Sequence, residues 1–233
     1  MNVFSRVVIE ETIRRHLTNV AFVAYVAFLA IVAIGVSQFG PPAAAWPSLV
    51  GLLAIITGCG PIGPEFSSGT LQLILVKPIN RATYLLSRVA GVVCVIWLAA
   101  LVPFACEIVG RLAKGEVHWF AMSTELLNTA VMAILTVSLL TLFGSLSRAY
   151  LNVAFYMVLQ IALGTTPMLL GLFGAERFAG VSRVIAAIQQ NLYPSAVFGF
   201  DWQWLLRVLS NAAVALVLAC FAFRSREVPY GAD

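Results

Sequence analysis

The chain has 233 residues, of which 61% are hydrophobic and only 10% charged. An ordinary soluble domain carries about a quarter charged residues, so this composition excludes a water-solvated globule and makes lipid the solvent. The formal net charge is +4, a modest basic excess that falls at the ends of apolar runs and defines no nucleic-acid-binding surface.

The charges are segregated along the chain. None occurs from Leu17 to Pro64, Val89 to Cys106, Leu126 to Ser147, Ala149 to Ala175, or Val208 to Phe223. Roughly 20 apolar helical residues cross a bilayer. The first run is 48 residues long and holds two spans divided by Gly40-Pro41-Pro42; the others hold one each. The sequence therefore predicts an all-α integral membrane protein with six transmembrane helices, at about 18–38, 43–63, 88–109, 125–146, 150–174 and 204–223. The first run is too long for the apolar part of a signal peptide, so it reads as a retained span.

Residues 2–17 precede the first span. Glu10/Arg14 and Glu11/Arg15 are i,i+4 pairs in the favourable order and predict a short helix. Its apolar residues divide between two faces, with Val3, Phe4, Val7 and Val8 on one and Ile9, Ile13 and Leu17 on the other. Pro103 predicts a kink in the third span. The fourth span follows a polar loop at 110–124, and Glu125 opens it, complementing the helix dipole. Glu107 and Arg111, also i,i+4, pair at the outer end of the third span. Arg207 lies one turn into the sixth and snorkels outward.

The segment 176–192 differs in kind. Phe178, Val181, Ile185, Ile188 and Leu192 recur at helical spacing, which predicts an amphipathic helix at the outer surface. Pro194 ends it. Tyr193, Phe198, Phe200, Trp202 and Trp204 then cluster as an interfacial aromatic belt does.

Lys and Arg set the orientation. With the N-terminus inside, nine lie on the cytoplasmic side (Arg6, Arg14, Arg15, Lys77, Arg81, Arg88, Arg148, Arg224, Arg226) and five outside. Both termini are therefore expected in the cytoplasm.

The connection at 64–88 carries the functional signal. Pro64 and Glu65 suit a first helical turn. Leu71, Ile74 and Leu75 share a face, Pro78 stops the helix, and Asn80 caps the next one. A short amphipathic helix is thus held between two spans, fit to dock in a partner's groove or to lie against the membrane. The run E-x-x-x-G-T-L-x-x-x-L-x-x-P-I-x-R, from Glu65 to Arg81, resembles the first cytoplasmic loop of ABC-2 type ABC transporter permeases. The six-span order, the charged N-terminal helix and the outer helix before the last span are similar to that family's layout.

The resemblance implies a permease subunit of an ATP-driven exporter in the cytoplasmic (inner) membrane. Two such subunits, the same chain or a homologue, would form the translocation path. Two copies of a separate ATPase, holding ATP and magnesium, would dock beneath, and an accessory protein could join them. The helix at about 65–75 would be the coupling helix. Glu65, Gly69, Thr70, Leu71, Lys77, Pro78 and Arg81 would form the partner interface, with Arg6, Arg14 and Arg15 nearby in an N-terminal elbow helix. Each of these residues also has a purely structural reading, such as helix capping, close packing, chain termination or the positive-inside rule.

No Gly-Lys dipeptide occurs, so the chain has no phosphate-binding loop of the GxxxxGK[ST] type and is not expected to be an enzyme or to hold a cofactor itself. The two histidines, His16 and His118, lie outside the spans. Cys59, Cys94, Cys106 and Cys220 fall in apolar runs without a CxxC pair, and so read as packing residues rather than metal ligands. Gly144-Ser145 reads as small-residue helix packing rather than a nucleophile turn. Asn152, Gln160, Thr165 and Thr166 are the candidate pathway-lining residues of the fifth span. Two other readings stand beside the permease: a self-sufficient secondary transporter or channel, and a membrane scaffold that recruits a soluble partner through 64–88.

Overall fold

Eight helices account for the regular structure of the described residues. The computed structural model describes residues 4–41, 43, 45–59, 80–147, 151–172, 179–192 and 201–225. The helices are α1 (Arg6–Leu17), α2 (Val20–Phe39), α3 (Trp46–Gly58), α4 (Arg81–Leu112), α5 (Trp119–Leu146), α6 (Leu151–Leu172), α7 (Ala179–Leu192) and α8 (Trp202–Ser225). No strand occurs among the described residues. A helix lies at each of the six predicted spans. Four of them, α2, α4, α5 and α8, are long and apolar enough to cross a membrane.

Local chemistry sets several helix ends. The Asn19 side chain accepts the Ala21 N–H at 2.9 Å and starts α2. Asn80 does the same for Ala82 at 3.2 Å and starts α4, as the sequence predicts. Pro47 occupies the first turn of α3, where its missing N–H costs nothing. Gly115, at φ +73°, turns the chain after α4.

Two sequence expectations are corrected at the far end of α4. The predicted loop at 110–124 shrinks to 113–118, because α4 continues to Leu112 and α5 begins at Trp119. Glu125 therefore lies in the second turn of α5, past the reach of the helix N-terminus. The reason is that hydropathy marks the lipid boundary, whereas a helix can project beyond it. At 32 residues, α4 is about 48 Å long against a hydrocarbon core of about 30 Å. It runs continuously through buried Pro103.

α4 and α5 form the centre. α4 packs against α1, α2, α3, α5 and α8, and α5 against α3, α4, α6 and α8. The apolar stretches of α4 and α5 are 50% and 61% buried, against 22% in α2 and α8, so the latter two are peripheral. Phe28, Ile31 and Ile34 of α2, and Val214, Val217 and Phe221 of α8, are exposed. Apolar faces of that extent suit lipid rather than water.

Side-chain contacts give each helix its direction. Gly58, at the end of α3, lies against Leu140 near the end of α5. Asn152, at the start of α6, reaches Cys59. Phe223, at the end of α8, clusters with Tyr84 and Leu85 at the start of α4. One end of the bundle thus gathers α1, the end of α3, the start of α4 and the end of α8. The opposite end holds the α2–α3 and α4–α5 connections.

Candidate functional site

The α1 end begins with a close helix crossing. A Cβ on Gly91 of α4 would lie 2.7 Å from Thr12 Cβ and 3.3 Å from the Ile9 carbonyl oxygen. Only glycine lets α1 seat this closely. Above the crossing, Arg88 is 8% exposed. Its Nη1 donates to Thr12 Oγ1 at 2.9 Å and its Nε to the Tyr84 hydroxyl at 3.3 Å. The Ser5 N–H donates to Ser87 Oγ at 2.7 Å. α1 is therefore fixed to α4 by polar bonds flanking a glycine contact.

The face that α1 presents is neither of the two apolar faces in its sequence. Thr12 is its one buried residue, with Val8, Ile9, Ile13 and His16 partly buried around it, while Phe4, Val7 and Leu17 are exposed. The partner surface is a glycine beside an arginine, so a threonine at the centre satisfies it better than a larger apolar side chain.

A cleft of about 460 Å³ opens at this junction, lined by Arg15, His16, Asn19, Thr57, Cys59 and Arg88 among others. Both flanks of residues 60–79 are here, Cys59 in the cleft wall and Asn80 at the start of α4. Glu65, Gly69, Thr70, Leu71, Lys77 and Pro78 lie outside the described residues. Arg81 is the first residue of α4. Arg6 pairs with Glu10 at 2.6 Å on the exposed side of α1. Arg14 is exposed, and Arg15 is exposed at the cleft rim. The structure thus brings the N-terminal arginines to the face from which the 60–79 segment leaves and to which it returns.

The opposite end is organised by one carboxylate. Glu107 is fully buried and Arg111 is 4% exposed, and they pair at 2.8 Å. Glu107 also accepts the Ala43 N–H at 3.0 Å and the Trp46 indole N–H at 2.6 Å. Arg111 donates to the Gly40 carbonyl at 2.9 Å, and Lys114 to the Gln38 carbonyl at 2.6 Å. These two cations cap the C-terminal end of α2. Ala43 sits at φ +55°, a conformation that L-residues adopt only when their surroundings hold it; the carboxylate provides that hold. The sequence shows the Glu107–Arg111 pair but not its grip on the α2–α3 loop.

Between α3, α5 and α6 lies a third feature, a groove of about 480 Å³. Its polar lining includes Glu125, Asn128, Thr129, Thr136, Tyr156 and Gln160, and its apolar lining Leu52, Ile55, Met132 and Met157. Gln160, one of the candidate residues of the fifth span, lines this groove. Asn152 does not line this groove. It is 1% exposed and donates to the carbonyls of Cys59 at 3.0 Å and Leu140 at 3.4 Å. That geometry braces α6 against α3 and α5. Replacing Asn152 with Leu is expected to lower stability by about 1 kcal/mol, because the bond to Cys59 is lost; thermal unfolding in detergent measures it. Thr165 and Thr166 are on α6, with side chains outside the described set.

Among the described residues, no three His, Cys, Asp or Glu side chains gather as a metal site, and the four cysteines are unpaired. Ser145 is inside α5 and bonds the Leu142 carbonyl at 2.7 Å, so Gly144-Ser145 forms no nucleophile turn. No protein-family model matches the chain, and neither does any curated protein.

Proposed function

We propose that this chain is the membrane-spanning permease subunit of an ATP-binding cassette exporter of the ABC-2 type. In this reading α2, α3, α4, α5, α6 and α8 are the six spans, α1 is the elbow helix and α7 the outer helix. Both termini face the cytoplasm across the inner membrane. Two permease subunits form the path, and separate ATPase subunits, carrying ATP and magnesium, dock at the α1 end.

One observation supports this reading most strongly. Cys59 and Asn80, the flanks of the motif-bearing segment, lie at the end of the bundle that also carries α1 and the N-terminal arginines. A push on that segment would reach the ends of α3 and α4 through the covalent chain. From α4 it would pass to α1 through Arg88–Thr12 and to the α2–α3 loop through Glu107. Rigid helices with polar bonds at both ends transmit such a displacement.

The test co-expresses the chain with the ATP-binding cassette ATPases of its own genome. Glu65→Ala, and separately a Gly69→Leu/Thr70→Ala double variant, are expected to lower ATPase association or to leave hydrolysis without transport. Wild-type association and wild-type coupling in both variants would refute the reading. One observation favours a second reading, a self-sufficient carrier: the groove places a carboxylate among amides and hydroxyls, as carriers do. Transport by the chain alone in proteoliposomes, driven by an ion gradient, would establish that reading instead.

A further inference from the structure

Among the described residues, the groove between α3, α5 and α6 contains one buried polar atom without a partner and one half-buried carboxylate. Gln160 Nε2 is buried without a hydrogen-bond partner. Among the described residues Glu125 has no hydrogen-bond or ion-pair partner either, although the groove is lined on the same side by Asn128 and Thr129. A buried polar atom left without a partner is costly, so the Gln160 amide is a position where a ligand group would be favoured. By contrast, Glu107, the buried carboxylate at the α2–α3 loop, is saturated with donors.

We propose that this groove binds an organic cation with an apolar body. The sign follows from the Glu125 carboxylate, the one group among the described lining residues that carries a charge at neutral pH. The amides and hydroxyls supply hydrogen bonds, while Leu52, Ile55, Met132 and Met157 supply apolar and polarisable wall. Methionine adapts to varied shapes. The volume of about 480 Å³ is within the range of small-molecule sites. From Glu125 to Thr136 the polar lining extends about 16 Å along α5, the length of a multi-ring compound. Gly51 lies in the wall, and a Cβ there meets nothing within 4 Å, so the space is open rather than collapsed. The inference rests on the transport reading for its meaning, since it names the class of substrate carried.

Binding of tetraphenylphosphonium to the purified full chain in zwitterionic nanodiscs, measured by equilibrium dialysis against empty nanodiscs, tests it. Saturable binding is expected, with none for tetraphenylborate, the anion of the same shape. Glu125→Gln should weaken binding about tenfold. Glu116→Gln, on the exposed α4–α5 loop, should leave it unchanged. Gly51→Leu adds bulk to the groove wall while keeping the carboxylate and should abolish binding, which keeps the proposal testable if Glu125→Gln misfolds. Absence of saturable binding, equal binding of the anion, or full binding by Gly51→Leu would overturn it. No ATPase is present in the assay, so its failure is distinct from failure of ATPase association.

Discussion

Glu107→Ala lowers the stability of the protein by about 3–5 kcal/mol, the usual cost of removing one partner from a buried ion pair. Three groups lose their acceptor at once: the Arg111 guanidinium, the Ala43 N–H and the Trp46 indole N–H. Arg111 is then a buried cation whose remaining bond is to the Gly40 carbonyl. Ala43 loses the acceptor that holds its positive φ. A melting point in detergent roughly 10 °C below wild type is the expected reading for a chain of this size. The double variant Glu107→Met/Arg111→Met separates charge from loop. It removes both charges, so it should recover part of the loss, while the Ala43 and Trp46 donors stay unpaired. A Glu107→Ala protein that melts within a degree of wild type would show that Glu107 does not organise the loop.

What the sequence reveals here depends on the range of the interaction. Asn19, Asn80 and Pro47 act on their own helices, so their roles are readable locally, and so is the i,i+4 pairing of Glu107 with Arg111. The grip of Glu107 on Ala43 and Trp46 crosses more than 60 positions and has no local signature. Asn152 and Gln160 look alike in sequence, as amides in an apolar run. Packing separates them: one braces three helices, and the other faces a groove whose carboxylate, Glu125, is on a different helix. The start of α5 is misjudged from hydropathy because Trp119 and Phe120, exposed at 57% and 74%, continue the helix beyond the uncharged run. The α1 contact surface is the least legible element. Its sequence offers two apolar faces, and the choice between them and a threonine-centred stripe is made by Gly91 and Arg88, far along the chain.

The close α1–α4 crossing at Gly91 makes a second substitution strongly disruptive. Gly91→Leu is expected to detach α1 from α4. Even the first added carbon would lie 2.7 Å from Thr12 Cβ and 2.9 Å from Thr12 Cγ2. Neither atom is the free end of a flexible chain, and Thr12 is held by its bonds to Arg88 and to the Val8 carbonyl. The crossing can yield only by moving the helix, which costs about 1–3 kcal/mol and corresponds to a roughly 5- to 150-fold larger detached population. Tryptic cleavage at Arg14 and Arg15 reports that population, because an intact helix resists the protease. Gly91→Ala should show the same effect in smaller measure. Gly35→Leu is the control, since a Cβ at Gly35 meets nothing within 4 Å and the residue lies on α2. Wild-type cleavage rates in Gly91→Leu would mean that α1 is not seated through Gly91. In the permease reading the detached helix also carries Arg14 and Arg15 away from the partner face, so ATPase association should fall in step with the rise in cleavage.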